Sequence, residues 1–156
     1  MLIDKLMLND EKIDFIVIGT RQQLVKVNID SLCVGHTVIL PSSEVRNLGG
    51  WFDIQLKMVT QINQTYKAAF FHIFNIRRIR KFLSSDTVQT LVNAFVTSRL
   101  DYCNSILFGL PNTELQNLQR AQNTAVRLFC NIDKFDHITC TLVKLHCLPV
   151  RYRINF

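Results

Sequence analysis

The chain has 156 residues, of which 48% are hydrophobic and 19% charged, and it carries a net charge of +6. This length allows one ordinary domain or two small units, and it suffices to bury a core without disulfides. Because no run reaches the roughly 18 apolar residues of a membrane span and no signal peptide opens the chain, we expect an intracellular protein with no membrane partner.

The first third of the chain has the pattern of short strands separated by turns. Residues 15–18 form an apolar run with branched side chains, which predicts a buried strand. Residues 21–26 fit either one helical turn or a loop. Residues 32–40 predict a hairpin that turns at Gly35-His36, because Gly35 can adopt the positive φ of a tight turn.

Residues 45–52 predict a further strand, with Gly49-Gly50 in its middle as a bulge or a close backbone approach. From about residue 56 the spacing of apolar residues becomes helical. The apolar face predicted for the first long helix consists of Val59, Ile62, Tyr66, Ala69, Phe70, Ile73, Phe74 and Ile76.

Further helices are predicted from their capping residues and from their breakers. Ser84, Ser85 and Asp86 are N-cap candidates for a second helix, which residues 109–111 end. The apolar face predicted for this helix consists of Val88, Leu91, Val92, Phe95 and Val96. Thr113 with Gln116 is typical of a capping box for a third helix. The apolar face predicted for that helix consists of Leu115, Leu118, Ala121, Ala125, Leu128 and Phe129. A shorter amphipathic segment follows at about 137–146. We therefore predict an α+β fold, in which a small antiparallel sheet precedes a bundle of three to four helices.

The positive charge is concentrated in one part of the chain. Residues 57–99 contain seven basic residues and one acid, Asp86, so this stretch carries the whole net charge. Such a patch favours a polyanionic partner. A solvated helix face with cations at its C-terminal end is the alternative. The candidate nucleic-acid-binding residues are Lys67, Arg77, Arg78, Arg80 and Lys81.

A self-contained catalytic site is not indicated. No two aspartates are adjacent, and the sequence contains neither a glycine-rich phosphate loop nor a nucleophile elbow. The residues His137, Cys140, His146 and Cys147 do not have the spacing of a zinc finger or knuckle, so packing and capping are favoured over a metal site. We expect no metal, no cofactor and no small-molecule substrate for this chain.

Read in chain order, several segments resemble the jockey-like group of LINE-type (non-LTR) retrotransposon reverse transcriptases. The resemblance covers nearly all of the chain, and its ordered series of matches is more specific than any single one. The matching segments are residues 6–12, 15–20, 41–53, 74–80, 94–105, 107–111, 118–123, 135–139 and 145–150. The sequence departs from family usage at Ile13, Gly50 and Cys147, where the family generally has Thr, Val and Trp.

The resemblance implies a C-terminal fragment of an RNA-directed DNA polymerase. Residues 1–54 would be a remnant of the palm, and residues 55–156 the helical thumb and the region after it. The fingers and the catalytic palm, with its aspartates and Mg²⁺, would precede Met1. Lys12 matches a family position proposed as general acid toward pyrophosphate. The segment Leu48, Gly49, Gly50 and Trp51 resembles the primer grip, which contacts the template–primer in the intact enzyme.

Three functional interpretations remain open at this point. The first is a reverse-transcriptase fragment that is inactive alone and retains affinity for a template–primer backbone. The second is a non-enzymatic helical module that binds nucleic acid or protein. The third is a relic without function.

Overall fold

The computed structural model describes residues 12–35, 37–133 and 135–155, and the chain divides into two compact units between Met58 and Val59. The first unit contains short strands and one helical turn, whereas the second is helical. The coarse prediction of an α+β chain that changes from strands to helices is therefore confirmed. The assignment of the two units to a palm and a thumb stays a prediction.

The first unit contains two separate hairpins rather than one sheet. In the first hairpin, β1 (Leu32–Val34) pairs with β2 (Thr37–Ile39); in the second, β3 (Glu44–Asn47) pairs with β4 (Gly50–Asp53). Both pairs are antiparallel, and the described residues contain no ladder that joins them. Gly35 has a φ of 60°, as predicted for the first turn, and His36 lies outside the described residues.

The prediction of one strand over residues 45–52 is wrong. Asn47 pairs with Gly50, so Leu48 and Gly49 form the two-residue turn of the second hairpin. Their φ angles are 47° and 88°. Positive φ at both central residues matches the twist of a hairpin, and Gly49 adopts it at little cost. The two glycines therefore mark a reversal of the chain and not a bulge.

The predicted buried strand at residues 15–18 is also wrong. Phe15 forms a single parallel bridge with Pro41, and Ile18 is half exposed. One bridge does not provide the repeated hydrogen bonds of a strand ladder. Of the two alternatives for residues 21–26, the structure has the helical turn, α1 (Arg21–Leu24). Thr20 caps it by accepting a hydrogen bond from the Gln23 amide.

The second unit is built from helices of very unequal length. The long helices are α2 (Val59–Ile79) and α5 (Asn112–Cys130). Between them run a 3₁₀ turn (Arg80–Phe82), α3 (Ser85–Val92), a π-helical segment (Asn93–Thr97), α4 (Ser98–Asp101) and a second 3₁₀ turn (Asn104–Leu107). The chain continues through α6 (Thr139–Lys144) and α7 (Val150–Asn155).

The core of this unit lies around α5, which packs against α2, α3 and α7. Its buried face was predicted well, except that Phe129 is only half-buried. From α3 and the π-helical segment, Val88, Val92 and Val96 are buried, one helical turn apart. Phe95, predicted on the same face, is substantially exposed instead. The wider π turn breaks the regular helical spacing on which that prediction rested.

The apolar face of α2 differs from the prediction at its aromatic residues and at Val59, which is 43% exposed. Ile62, Ala69, Ile73 and Ile76 are buried, as expected. Phe74, however, is 60% exposed. Successive residues on a helix turn by about 100°, so Ile73 and Phe74 cannot both face a narrow core. The core selects the stripe that contains Ile73 and Ile76, and Phe74 points outward.

Two capping predictions have different outcomes. Ser84 is the N-cap of α3, and its hydroxyl accepts a hydrogen bond from the Thr87 amide at 3.3 Å, as expected. The capping box at Thr113 is wrong, because α5 already begins at Asn112 and Pro111 occupies the N-cap position. Proline fits there because its fixed φ suits the start of a helix and its missing N–H needs no partner.

Polar contacts tie the last helix to the rest of the second unit. Arg153 forms an ion pair with Asp101, and the Asn104 side-chain amide donates to the Arg153 carbonyl at 3.2 Å. The Gln122 side chain, buried on α5, donates to the Leu148 carbonyl at 2.8 Å. These bonds satisfy polar groups beneath α7 and fix the position of its apolar residues.

Candidate nucleic-acid interface

Four residues form a stripe along α2 on the side opposite its buried face. Lys67, Phe71, Phe74 and Arg78 are spaced by four, three and four residues, which places them on one helix face. Phe71 is 63% exposed and Phe74 60% exposed. At 1.5 Å per residue the stripe is about 17 Å long, equal to about five nucleotides of one strand. We call these four residues the α2 stripe.

The 3₁₀ turn after α2 repeats the combination of a cation and an exposed ring. Phe82 is 76% exposed, and the Lys81 ammonium lies 4.8 Å from the centre of its ring. In the α2 stripe, Arg78 lies 5.9 Å from the centre of the Phe74 ring. Cations that lie beside exposed aromatic rings are typical of surfaces that bind a nucleic-acid strand by charge and by stacking.

The surroundings of the α2 stripe contain little negative charge. The sequence has no acidic residue between Asp53 and Asp86. The described ranges contain one ion pair, between Arg153 and Asp101, and both residues lie far along the chain from α2. The cations on α2 therefore have no acidic partners within the helix, and their field extends into solvent.

The five predicted nucleic-acid-binding residues do not all behave alike. Lys67, Arg77, Arg78 and Lys81 are exposed, as a contact with phosphates requires. Arg80 is half-buried, and its Nε and Nη1 donate to the carbonyls of Leu128 and Leu83, both at 3.4 Å. Arg80 therefore links the end of α2 to α5, and fewer of its donors face solvent.

The residues that resemble the primer grip lie in the first unit, in and after the turn of the second hairpin. Leu48 is 85% exposed at the tip, Gly50 is buried, and Trp51 is half-buried. The Arg46 guanidinium lies 6.0 Å from the centre of the Trp51 ring. The segment thus begins in an exposed turn and continues into β4, where its side of the hairpin is less exposed. Lys12, the candidate general acid, is exposed.

Asp53, at the end of β4, organises the segment that leads into α2. One carboxylate oxygen accepts the Met58 amide at 2.8 Å, and the other accepts those of Lys57 and Gln55 at 3.1 and 3.3 Å. Burial raises the pKa of Asp53, but the three backbone N–H donors outweigh it, so the pKa lies below its ordinary value. The carboxylate is thereby held in its charged form.

A second perturbed group lies on α2, beside the π-helical segment. The His72 ring stacks on Phe95, with 5.2 Å between the ring centres. Burial lowers the pKa of His72, and the positive charge of Arg99 lowers it further. His72 therefore favours its neutral form and adds no charge to this part of the helix at neutral pH.

A cleft of about 740 Å³ lies between the ends of α2 and α5 and is lined by Arg77, Arg80 and Arg127. Arg127 was not predicted as a site residue, because it lies far along the chain from the basic segment. Its Nη2 donates to the Asp136 carbonyl at 3.1 Å. Its Nε is buried and has no hydrogen-bond acceptor within the described part of the chain.

A second cleft, of about 700 Å³ and mainly apolar, lies between α5, α6 and α7. Leu115, Leu142, Val143 and Pro149 are among the residues that line it, together with Tyr152. Val143 and Tyr152 are exposed. The cleft has the apolar lining of a surface that accepts another protein segment or an apolar molecule.

The described residues offer no evident metal centre. Among them, no group of three or more His, Cys, Asp and Glu side chains is placed to hold a metal ion. The residues weighed as zinc ligands include His137 and Cys140, both of which are exposed. None of the helices described is long and apolar enough to cross a bilayer.

Comparisons with protein-family models, with curated proteins and with solved structures find no match to this chain. The candidate interface is therefore argued from the residues of this chain alone. Sequence reasoning missed Phe71, Phe74 and Phe82 as surface residues. A signal for the α2 stripe was present in the spacing from Lys67 to Arg78, which places these cations on one face with Phe71 and Phe74 between them.

Proposed function

We propose that the chain binds a nucleic-acid strand along α2, with its cations on the phosphates and its exposed phenylalanines against unpaired bases. The observation that carries this proposal is the α2 stripe, in which two exposed rings lie between two cations on a face with no acid. Phosphate contacts supply affinity without reading sequence. Stacking on aromatic rings adds affinity and tolerates every base.

The exposed rings favour a strand with unpaired bases over a plain solvated helix face. A solvated face needs charge but not phenylalanine, since exposed apolar area is costly in water. Phe71 and Phe74 occupy positions where polar residues would serve solubility better. A ligand that stacks on them removes that area from water.

The origin of the chain is proposed from the resemblance stated above. We propose that it is the C-terminal part of a LINE-type reverse transcriptase. The paired metal-binding carboxylates of such a polymerase do not occur in these 156 residues, so we expect no nucleotide addition by this chain alone. Genomic DNA upstream of the Met1 codon tests the origin. An open frame with an aromatic-Ala-Asp-Asp hairpin would support it, and an unrelated domain would contradict it.

The binding proposal is tested by fluorescence anisotropy with a labelled oligonucleotide of twelve nucleotides. We expect the chain to bind single-stranded DNA or RNA with little preference for sequence, and to bind more weakly as salt rises. A duplex of the same length should bind less tightly, because its bases cannot stack on the phenylalanines. Absence of binding at low salt, or a duplex preference, would contradict the proposal.

A second candidate function is supported by the apolar cleft between α5, α6 and α7. Its lining fits a protein segment with apolar side chains, and the chain would then be a protein-binding helical module. Substitution of Val143 with Asp separates the two candidates. It should leave oligonucleotide binding unchanged if α2 carries the function.

A further inference from the structure

The arginine-lined cleft between the C-terminal ends of α2 and α5 combines concavity with positive charge. Arg77 and Arg80 come from the end of α2 and the turn after it, and Arg127 comes from the last turn of α5. Asp133 is the acidic residue among the described lining residues. Three arginines and one aspartate give the cleft a formal charge of +2.

Two of these guanidinium groups are held in place by backbone carbonyls. Arg80 donates to the carbonyls of Leu128 and Leu83, both at 3.4 Å, and Arg127 donates to that of Asp136 at 3.1 Å. A guanidinium has five N–H donors, so each of these arginines keeps donors that these bonds do not use. Anchored guanidiniums lose less side-chain entropy when a ligand binds than mobile ones do.

The Arg127 side chain has one unusual atom, its Nε. It is buried, and no acceptor in the described ranges lies within hydrogen-bond distance. Buried donors in proteins are almost always paired, and an unpaired one needs an explanation. Arginine at the end of α5 is favoured by the helix dipole, but the dipole does not account for a buried N–H without an acceptor.

We propose that this cleft binds a phosphate group, with Arg127 as its principal donor and Arg77 and Arg80 as supporting cations. A phosphate offers several acceptor oxygens, and guanidinium groups match their geometry with paired hydrogen bonds. The phosphate comes either from a nucleic-acid strand or from a free polyphosphate. Arg127 lies outside the α2 stripe, so this phosphate site goes beyond the proposed nucleic-acid interface. If the phosphate belongs to a nucleic-acid strand, the inference rests on the proposed function; if it belongs to a free polyphosphate, it does not.

The probe is inorganic pyrophosphate, titrated calorimetrically into the full chain at low salt. We expect binding by the parent chain and a loss of about tenfold in affinity for Arg127→Met, as expected when a charge-assisted hydrogen bond is removed. Arg120→Met is the control, because Arg120 is an exposed arginine two turns earlier on α5. It should bind pyrophosphate within twofold of the parent.

A second variant keeps the test informative if Arg127→Met fails to fold. Arg127→Lys retains the charge and removes the planar pair of donors, so its pyrophosphate affinity should fall several-fold. No binding by the parent chain would overturn the proposal. So would equal losses from Arg127→Met and Arg120→Met, since net charge alone would then explain binding.

The two sources of phosphate are distinguished by the same variants with the twelve-nucleotide oligonucleotide. A loss for both ligands in Arg127→Met supports a nucleic-acid phosphate, and a loss for pyrophosphate alone supports a free polyphosphate. Phe71→Ala with Phe74→Ala separates this proposal from the proposed function. It should weaken oligonucleotide binding and leave pyrophosphate binding unchanged. Pyrophosphate bound through Arg127 in a chain that binds no oligonucleotide would support the cleft and contradict the proposed function.

Discussion

The Arg78 guanidinium lies 5.9 Å from the centre of the Phe74 ring, on the face of α2 that is directed away from the helical core. At an exposed site such a pair contributes about 0.5–1 kcal/mol. That is enough to bias the two side chains toward one arrangement but not to bury them. The pair therefore presents a charge and a ring side by side, and each can contact a different part of a nucleotide.

Removing the exposed rings of the α2 stripe should weaken binding to unpaired strands. We expect Phe71→Ala with Phe74→Ala to raise the Kd for a twelve-nucleotide strand by tenfold or more, because each stacked base contributes about 1–3 kcal/mol. Anisotropy at fixed salt measures the change. Phe108→Ala with Tyr152→Ala is the matched control, since both side chains are exposed aromatics outside α2. Equal effects from the two pairs would rule out a specific stacking surface.

Removing two cations should change the salt dependence as well as the affinity. We expect Arg77→Ala with Arg78→Ala to lower the slope of log K against log salt by about two units on a duplex and by less on a single strand. The measurement is binding over several salt concentrations. Arg120→Ala with Arg151→Ala removes the same charge from exposed positions on α5 and α7. If that control reduces the slope equally, net charge alone governs binding.

Asp53 should stabilise the first unit through its charged form. We expect Asp53→Ala to lower the free energy of unfolding by about 1 kcal/mol near pH 7, because three backbone N–H groups lose their acceptor. The pKa of Asp53 is lowered by folding, so its contribution is full above the ordinary value of 3.8 and disappears as pH falls below it. Urea unfolding at pH 7 and pH 3 measures this. A difference between parent and variant that does not shrink at pH 3 would contradict the account.

His72 should make the second unit less stable in mild acid. Folding lowers the pKa of His72, so protonation favours the unfolded chain, and stability falls as pH drops below the ordinary value of 6.5. We expect His72→Gln to remove this part of the pH dependence between pH 7.5 and 5.5. Thermal unfolding of both chains over this range is the test, and parallel pH profiles would contradict the assignment.

The sequence predicted the order of the strands and helices better than it predicted which face of each helix is buried. Helical spacing located α2, α3 and α5, because each buries residues one or two turns apart, such as Val88 and Val92. It could not choose between Ile73 and Phe74, since both are apolar and only the position of α5 decides which is covered. The sequence also does not indicate the turn at Leu48-Gly49, because leucine rarely adopts the positive φ that it has there.

The candidate site was predicted only in part for the same reason. Positive charge on α2 is visible as a local excess of lysine and arginine, and Lys67 and Arg78 are exposed as expected. The contribution of Arg127 depends on contact between the ends of α2 and α5, which lie about fifty residues apart in the chain. Nothing in the spacing of a single segment indicates such a contact. For the same reason, the sequence does not indicate that Arg80 points toward α5 and donates to the Leu128 carbonyl.

The most direct test is the location of the bound strand on the folded chain. Backbone amide chemical shifts of the isotope-labelled protein would be followed while a twelve-nucleotide single strand is added. We expect the largest changes along α2 and the turn after it, from Lys67 to Phe82, with smaller changes in α6 and α7. Changes concentrated around the apolar cleft of α5, α6 and α7, with α2 unaffected, would contradict the claim that α2 binds nucleic acid.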